Sequence, residues 1–555
     1  MKGGKPVESV NDLSIGQYLI RRLQDYGIAD VFGIPGDYVL NFYSLLEQSP
    51  INVVGCTRED CAGFAADAYA RIKGMGAVCV TYCVGGFSVC NSIAGAYAEK
   101  SPVVLLTGSP GLKERINNPL LHHKVRDFRT QYDVFQRLCV AGAELSDPRI
   151  AFSEIDRVLN MCDRYKRPVY LDIPRDLVTL VPAEPHMYER DWLKSDHDAL
   201  NEAADEASRL LGEAEKPVIL AGVEIHRFGL QDELLALAEG SSIPIATTIL
   251  GKSVIRETHP LFVGLYEGAM GHEEVTQFVE DSDCIVLLGT FMSDLNLGIF
   301  TASLDASKCI YATSEDLRIR HHHYHDVLLE DFIRELASRS PANSTRAIPP
   351  TLRAPREPFE LQPDDPVSTR RLIAMLNERL DDDMIVIADI GDSLFAATEL
   401  VIDGRTEFLS PAYYTSMGFA VPAALGVHVA ASNRRAVAIV GDGAFQMTGM
   451  ELSTLVRHGF NPIIFVLDNG GYGTERFLHP GEWKYNDIHG WNYAKLPEVL
   501  GGGKGYRVRT EGELAAVVEQ AWDNDDQLSL IHVQLDRDDH SETLARMAER
   551  LSKRI

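Results

Sequence analysis

Positive charge is scarce in this chain: 53 lysines and arginines stand against 80 aspartates and glutamates, a formal net charge of −27. That balance argues against nucleic acid or an anionic membrane as partner, because both would be repelled at long range. Any anion site must therefore rely on local donors or a metal. Long hydrophobic runs are also missing. No stretch approaches the roughly 20 apolar residues of a membrane span, and no basic-plus-apolar leader opens the sequence. The nine cysteines, an odd count, form no CxxC pair. A reducing, cytoplasmic setting is expected rather than a disulfide framework, with Cys79, Cys83 and Cys90 packed in a core. A strand-anchored GxGxxG is absent as well. Gly501-Gly502-Gly503 with Gly505 reads as a flexible turn, which opposes a nucleotide-dependent dehydrogenase.

What remains is an ordinary globular composition, 45% apolar and 24% charged, in 555 residues. That length is too great for one core and suggests about three or four domains. Short apolar runs alternate with helical patterns in three stretches: 8–185, 190–345 and 367–555. Residues 346–366, rich in proline and arginine, read as a linker. Alternation of this kind predicts parallel sheets and three doubly wound α/β domains. The first and third stretches share a layout. Val78 to Val84, Gly85-Gly86, a helix and Ser101-Pro102 match Ala436 to Val440, Gly441-Asp442-Gly443, a helix and Asn461-Pro462.

The most telling pattern is Gly441-Asp442-Gly443 followed by Asp468-Asn469-Gly470-Gly471, each behind an apolar strand, with Asp442 and Asn469 27 residues apart. Ligands of open α/β sheets bind at such strand ends. A carboxylate and a carboxamide there suit a hard cation with oxygen ligands. Gly443 permits close approach of backbone to a phosphate. Together they predict a magnesium-diphosphate site.

This pattern resembles the thiamine diphosphate fingerprint. Other motifs resemble one branch of those enzymes, the pyruvate, indolepyruvate and phenylpyruvate decarboxylases. They are Ile34-Pro35-Gly36-Asp37, Arg58-Glu59-Asp60, Tyr97-Ala98-Glu99-Lys100-Ser101-Pro102, Leu121-His122-His123, Gly391-Asp392-Ser393, Ser416-Met417-Gly418-Phe419 and Gly471-Tyr472-Gly473-Thr474-Glu475. The resemblance covers nearly the whole chain. It implies metal ligation by the side chains of Asp442 and Asn469 and the carbonyl of Gly471. The family often has Asn-Asn at the second site; here the first of the pair is Asp468. Gly391, Asp392, Ser393, Gly441, Gly443, Ala444 and Tyr472 would contact the cofactor, with Asp392 acting through its backbone or as a helix cap. Met417 would prop the cofactor's two rings together, and the Thr415 carbonyl would accept from its amine. Glu59 would hydrogen-bond the aminopyrimidine.

By the same resemblance, Asp37, His122, His123 and Glu475 handle protons, histidine being suited to transfer near neutral pH. His123 is expected to reach the substrate and His122 to support it; Glu475 would need burial to act as an acid. Asp294, Ile390, Leu394, Phe395 and Thr474 would line the substrate pocket. Thr474 is small and Ser293-Asp294 resembles the aryl-pyruvate enzymes, so a large aromatic or branched 2-oxo acid is favoured, with pyruvate possible. The implied reaction is a thiamine diphosphate- and magnesium-dependent decarboxylation to an aldehyde and carbon dioxide, in a homodimer or homotetramer with active sites at a subunit interface. An acetolactate synthase-type carboligase is the alternative; the histidine pair and Glu475 oppose it. His321, His322, His323 and His325 lie in a stretch expected to be a solvated loop or interface rather than a metal centre.

Overall fold

A computed structural model describes residues 12–189, 193–339, 345–349, 352, 359–404 and 407–552. The expected boundaries at 8 and 190, and most of the expected linker between 350 and 358, lie outside the described residues. The chain divides into two compact bodies. One contains Met1–Asp191, Val421–Ser432 and Met450–His458; the other contains Trp192–Ala420, Asn433–Gly449 and Gly459–Ile555.

The first body is built on six strands: β1 (Asp30–Gly33), β2 (Asn52–Gly55), β3 (Gly76–Val80), β4 (Val103–Ser109), β5 (Ala141–Glu144) and β6 (Val169–Pro174). Their order is β2-β1-β3-β4-β6-β5, all parallel. Parallel sheets are covered on both faces, which is why β3 and β4 are continuous runs of buried residues. The helix Ile15–Asp25 starts with a Ser14/Gln17 capping box, and the helix Glu59–Lys73 ends where Gly74 turns left-handed at φ 96°. Gly85-Gly86 lies inside a short helix, Val84–Ser88, rather than before one.

The second body carries two sheets. The central one contains β7 (Pro217–Ala221), β8 (Ile245–Thr247), β9 (Phe262–Leu265), β10 (Cys284–Leu288), β11 (Cys309–Ala312), β12 (Leu317–Ile319) and β13 (His322–Tyr324), in the order β13-β12-β11-β10-β7-β8-β9. This sheet is mostly parallel, as expected, but it carries an antiparallel edge. β11, β12 and β13 pair antiparallel, since their connections are too short for the crossover that parallel pairing needs. The histidine stretch expected as a loop is the edge of this hairpin. His322 pairs with Glu206 at 2.9 Å and His323 with Asp316 at 3.7 Å.

The C-terminal sheet contains β14 (Met384–Ala388), β15 (Glu407–Leu409), β16 (Arg435–Gly441), β17 (Ile463–Asp468), β18 (Lys504–Val508) and β19 (Ser529–Gln534). Its order, β15-β14-β16-β17-β19-β18, is all parallel and repeats that of the first sheet. In both, the chain leaves the first strand in opposite directions, so a crevice opens beyond the ends of β1 and β3, and of β14 and β16. Among the described residues, no helix is long and apolar enough to cross a membrane.

Candidate active site

In the first body, Asp37 follows β1 and the His122-His123 turn follows β4. His122 Nε2 lies 2.6 Å from Asp37 Oδ2, and its ring stacks on Tyr38 with centroids 4.8 Å apart. The Tyr38 hydroxyl donates to the His122 carbonyl at 3.3 Å, and Arg175 stands 3.8 Å from the Asp37 carboxylate. His123 adopts a left-handed backbone, φ 67°, and its ring meets that of His122 edge-on. Its Nδ1 is buried without a hydrogen-bond partner. The three side chains offer ligand atoms within 4.8 Å of one another, so the cluster can exchange protons or grip a cation.

Glu59 opens its helix, half-buried. Two residues earlier, the Thr57 N–H donates to both oxygens of the fully buried Glu451, at 3.1 and 3.3 Å, and its hydroxyl bonds the same carboxylate. Glu451 thus fixes the entry to the Glu59 helix, a role nothing in its local sequence announces.

In the second body, a cavity of about 340 Å³ opens at the crevice of the C-terminal sheet, within the range of small-molecule sites. Ile390, Gly391, Asp392, Ser393, Phe395, Thr415, Met417, Gly441, Asp442, Gly443, Ala444, Asn469, Gly471, Tyr472, Thr474 and Glu475 all line it. Asp442 and Asn469 reach it from the ends of β16 and β17. A Cβ on Gly471 would lie 1.9 Å from the Asn486 carbonyl oxygen, and its φ is 147°. A Cβ on Gly443 would come within 2.6 Å of the Tyr472 ring. The first approach, to backbone, requires glycine; a side chain at Gly443 would have to displace the Tyr472 ring.

Asp442 is buried, with Oδ1 accepting from the Gly443 N–H at 2.8 Å and Oδ2 buried without a partner. Burial, and then the neighbouring charge of Asp468, push the Asp442 pKa up. Burial works the same way on Asp468, yet the His532 hydrogen bond and charge hold it below the ordinary carboxylate range. An orphaned carboxylate oxygen beside a carboxamide and a glycine turn is a donor set that fits a hard divalent cation.

Asp389 belongs to none of the motifs above. It ends β14 with its carboxylate fully buried, accepting from the Ile390 and Gly418 N–H groups, each at 3.0 Å, and from Ala420 N–H at 2.8 Å. These bonds hold the turn in which Thr415 takes a left-handed φ of 58°, strained for a β-branched residue. Burial raises the Asp389 pKa from 3.8 to about 6 despite those donors. Between these values the native state keeps a proton that the unfolded chain has lost. Its contribution is thus most favourable below pH 3.8, falls as pH rises, and levels off above about 6. The span corresponds to about 3 kcal/mol. Asp389→Asn is expected to abolish this decline. Urea melts at pH 4 and pH 7 should show the variant gaining on the wild type by about that amount.

Two expected pocket residues do not line the cavity. Leu394 points into the apolar core under the C-terminal sheet, fully buried, where its side chain contributes about 1.5–3 kcal/mol. Asp294 is exposed, its carboxylate accepting from the next N–H, while Leu295 and Ile299 take the wall position. The Asp392 carboxylate does not cap its own helix, whose N-cap is Gly391. It accepts from Ser541 N–H at 2.9 Å and from the Ser541 hydroxyl, tying the cavity to the start of the helix Glu542–Ser552. Burial raises its pKa to about 6. Glu475 is exposed, not buried as an acid role would require. Leu478, Leu535 and Met547 complete the wall. They were unreadable in advance, because they come from elements whose apolar periodicity looks like core packing.

Three descriptions of the thiamine pyrophosphate enzymes match this chain in order: the N-terminal TPP binding domain over residues 13–128, the central domain over 204–338 and the C-terminal TPP binding domain over 389–533. An indole-3-pyruvate decarboxylase of Azospirillum brasilense is 36% identical over 547 residues, covering 97% of this chain and 98% of that protein. Pyruvate decarboxylase 4 of Arabidopsis thaliana is 32% identical over 570 residues, with 99% and 93% covered. A pyruvate decarboxylase of Aspergillus fumigatus is 32% identical over 569 residues, with 99% and 98% covered. With likeness running from end to end and all three domains matched, the chain belongs to the thiamine pyrophosphate enzyme family.

Proposed function

We propose that the protein is a thiamine diphosphate- and magnesium-dependent decarboxylase of 2-oxo acids, releasing carbon dioxide and an aldehyde, and that it favours aromatic or branched substrates. The observation that carries this reading is the cavity in which Asp442, with its orphaned Oδ2, meets Asn469, Gly471 and Met417. The cofactor, when bound, supplies an electron sink for the pair left behind as carbon dioxide departs. Asp442, Asn469 and the Gly471 carbonyl would hold the metal, and Gly391, Ser393, Gly441, Gly443, Ala444 and Tyr472 would border the diphosphate. Met417 would prop the cofactor's rings and the Thr415 carbonyl would accept from its amine. Glu59 would hold a proton against the pyrimidine.

Asp37, His122, His123 and Glu475 would hold and move the protons, one to the substrate carbon that loses its carboxylate and one away from the substrate oxygen as the aldehyde leaves. The 2-oxo carboxylate anion plus one proton gives aldehyde plus carbon dioxide, so no oxidant is needed. His123, whose Nδ1 lacks a partner, would be the proton donor to the substrate, and His122, engaged by Asp37, would support it. Glu475, exposed in the single chain, gains its burial when subunits meet: Glu59 and the histidines of one subunit serve the cavity of another. Exposed apolar side chains, Val84 and Leu120 in the first body and Met447 in the second, support such an assembly. The domains are 8–185, 190–345 and 367–555, joined by 346–366. Nine free cysteines support a reducing, cytoplasmic setting.

The apolar wall of Leu295, Ile299, Phe395, Leu478 and Met547, with the small Thr474, supports a large substrate side chain. Assays of pyruvate, phenylpyruvate, indolepyruvate and branched 2-oxo acids, with and without thiamine diphosphate and magnesium, test the reading. Cofactor-dependent aldehyde formation is expected, fastest with a large side chain. Met547→Trp should then cut kcat/KM for the aromatic acids by roughly 10- to 200-fold while sparing pyruvate. Turnover without cofactor, or none on any acid, would sink the proposal.

A further inference from the structure

We infer that His532 is a positioning residue for the metal grip, acting through Asp468, an inference that rests on the magnesium-diphosphate reading of the cavity. The second arm of that grip is a glycine turn. Gly470 and Gly471 have φ of 76° and 147°, and Arg476, which donates to the Asn469 and Gly470 carbonyls at 3.1 and 2.9 Å, belongs to the segment just beyond the turn. Asp468 supplies a tie to the sheet. Its Oδ1 accepts from the Gly470 N–H at 3.2 Å, and its Oδ2 lies 2.5 Å from His532 Nε2 on the adjacent strand β19.

His532 is 2% exposed and its Nδ1 has no partner, so the network assigns the proton to Nε2, which donates to the carboxylate. A bond to a carboxylate is shorter and stronger than one to an amide, which is what an asparagine at 468 would offer. The imidazole also packs edge-on against Tyr493, with centroids 5.0 Å apart. The Tyr493 hydroxyl accepts from Gln446 Nε2 at 2.9 Å, and Gln446 lies on the helix that begins with Asp442. A continuous series of contacts thus joins the two arms: Asp468, His532, Tyr493, Gln446. It sets their separation and holds a second carboxylate beside Asp442, which favours a divalent cation. Partners of this kind behind metal ligands govern affinity by roughly 10- to 100-fold.

The test is Mn²⁺ binding, read by electron paramagnetic resonance on the full-length protein with thiamine diphosphate present. Asp468→Asn and His532→Gln are each expected to weaken Mn²⁺ binding by at least tenfold. The double variant should lose little more, because both act through one contact. Saturating Mn²⁺ should restore most of kcat in either single variant, which a merely misfolded protein would not allow. Wild-type affinity in Asp468→Asn, or losses that multiply in the double variant, would overturn the inference. Asp468→Asn is isosteric and decides alone if His532→Gln does not fold. Asp442→Ala is the control. If it too binds Mn²⁺ normally, the magnesium-diphosphate reading itself fails, and the positioning role with it.

Discussion

Replacing Glu59 by glutamine is expected to lower kcat by roughly a hundred- to ten-thousand-fold, the range over which one positioned acid–base group acts. The cofactor should still bind, since Glu59 lies in the first body and the residues proposed to border the diphosphate line a cavity in the second. Glutamine keeps the length and a hydrogen bond but cannot hold and return a proton. The measurement pairs steady-state kinetics with titration of thiamine diphosphate by intrinsic fluorescence. An enzyme with normal affinity and nearly no turnover is the expected outcome. Full activity would remove Glu59 from the chemistry.

Asp442→Ala should produce the opposite pattern: the cofactor is no longer retained, and activity is lost because the site is empty. In the wild type, magnesium and thiamine diphosphate at a hundredfold excess over their dissociation constant should stabilise the fold by about 2.7 kcal/mol. In the variant that thermal shift should vanish. The ligand-free variant should melt no lower than the wild type, because the lost group is a buried carboxylate with an orphaned oxygen beside the charge of Asp468. The two inactive variants also test the assembly together. Hybrids formed by unfolding and refolding a mixture should regain partial activity, since each supplies what the other lacks. No recovery, despite mixed oligomers by mass spectrometry, would place Glu59 and Asp442 of one site in the same subunit.

Much of this site was legible because its chemistry sits where strands end. Gly441-Asp442-Gly443 and Asp468-Asn469-Gly470-Gly471 follow apolar runs, and a strand followed by a glycine turn leaves few alternatives. Leu394 was misread because residues on a short helix after β14 differ in fate by a single step: Phe395 turns to the cavity and Leu394 to the core. Asp389 and His532 were missed for another reason. A polar residue inside or just after an apolar strand carries no sign of whether it faces a turn, a neighbouring strand or a ligand. Met547 came from a distant helix that only tertiary packing brings to the cavity. The hairpin Leu317–Tyr324 was hidden by its histidines, which are poor markers of strand.

The tie between Asp392 and Ser541 gives the cavity an unusual kind of modularity. The half proposed to grip a diphosphate is built from β16 and β17, whereas the half proposed to meet a substrate's side chain borrows Met547 from a helix moored by one carboxylate. Selection, natural or in a library, can therefore re-cut the substrate wall through that helix while the cation grip stays untouched. New substrate ranges should arise first around residue 547, and cofactor-binding defects only rarely with them.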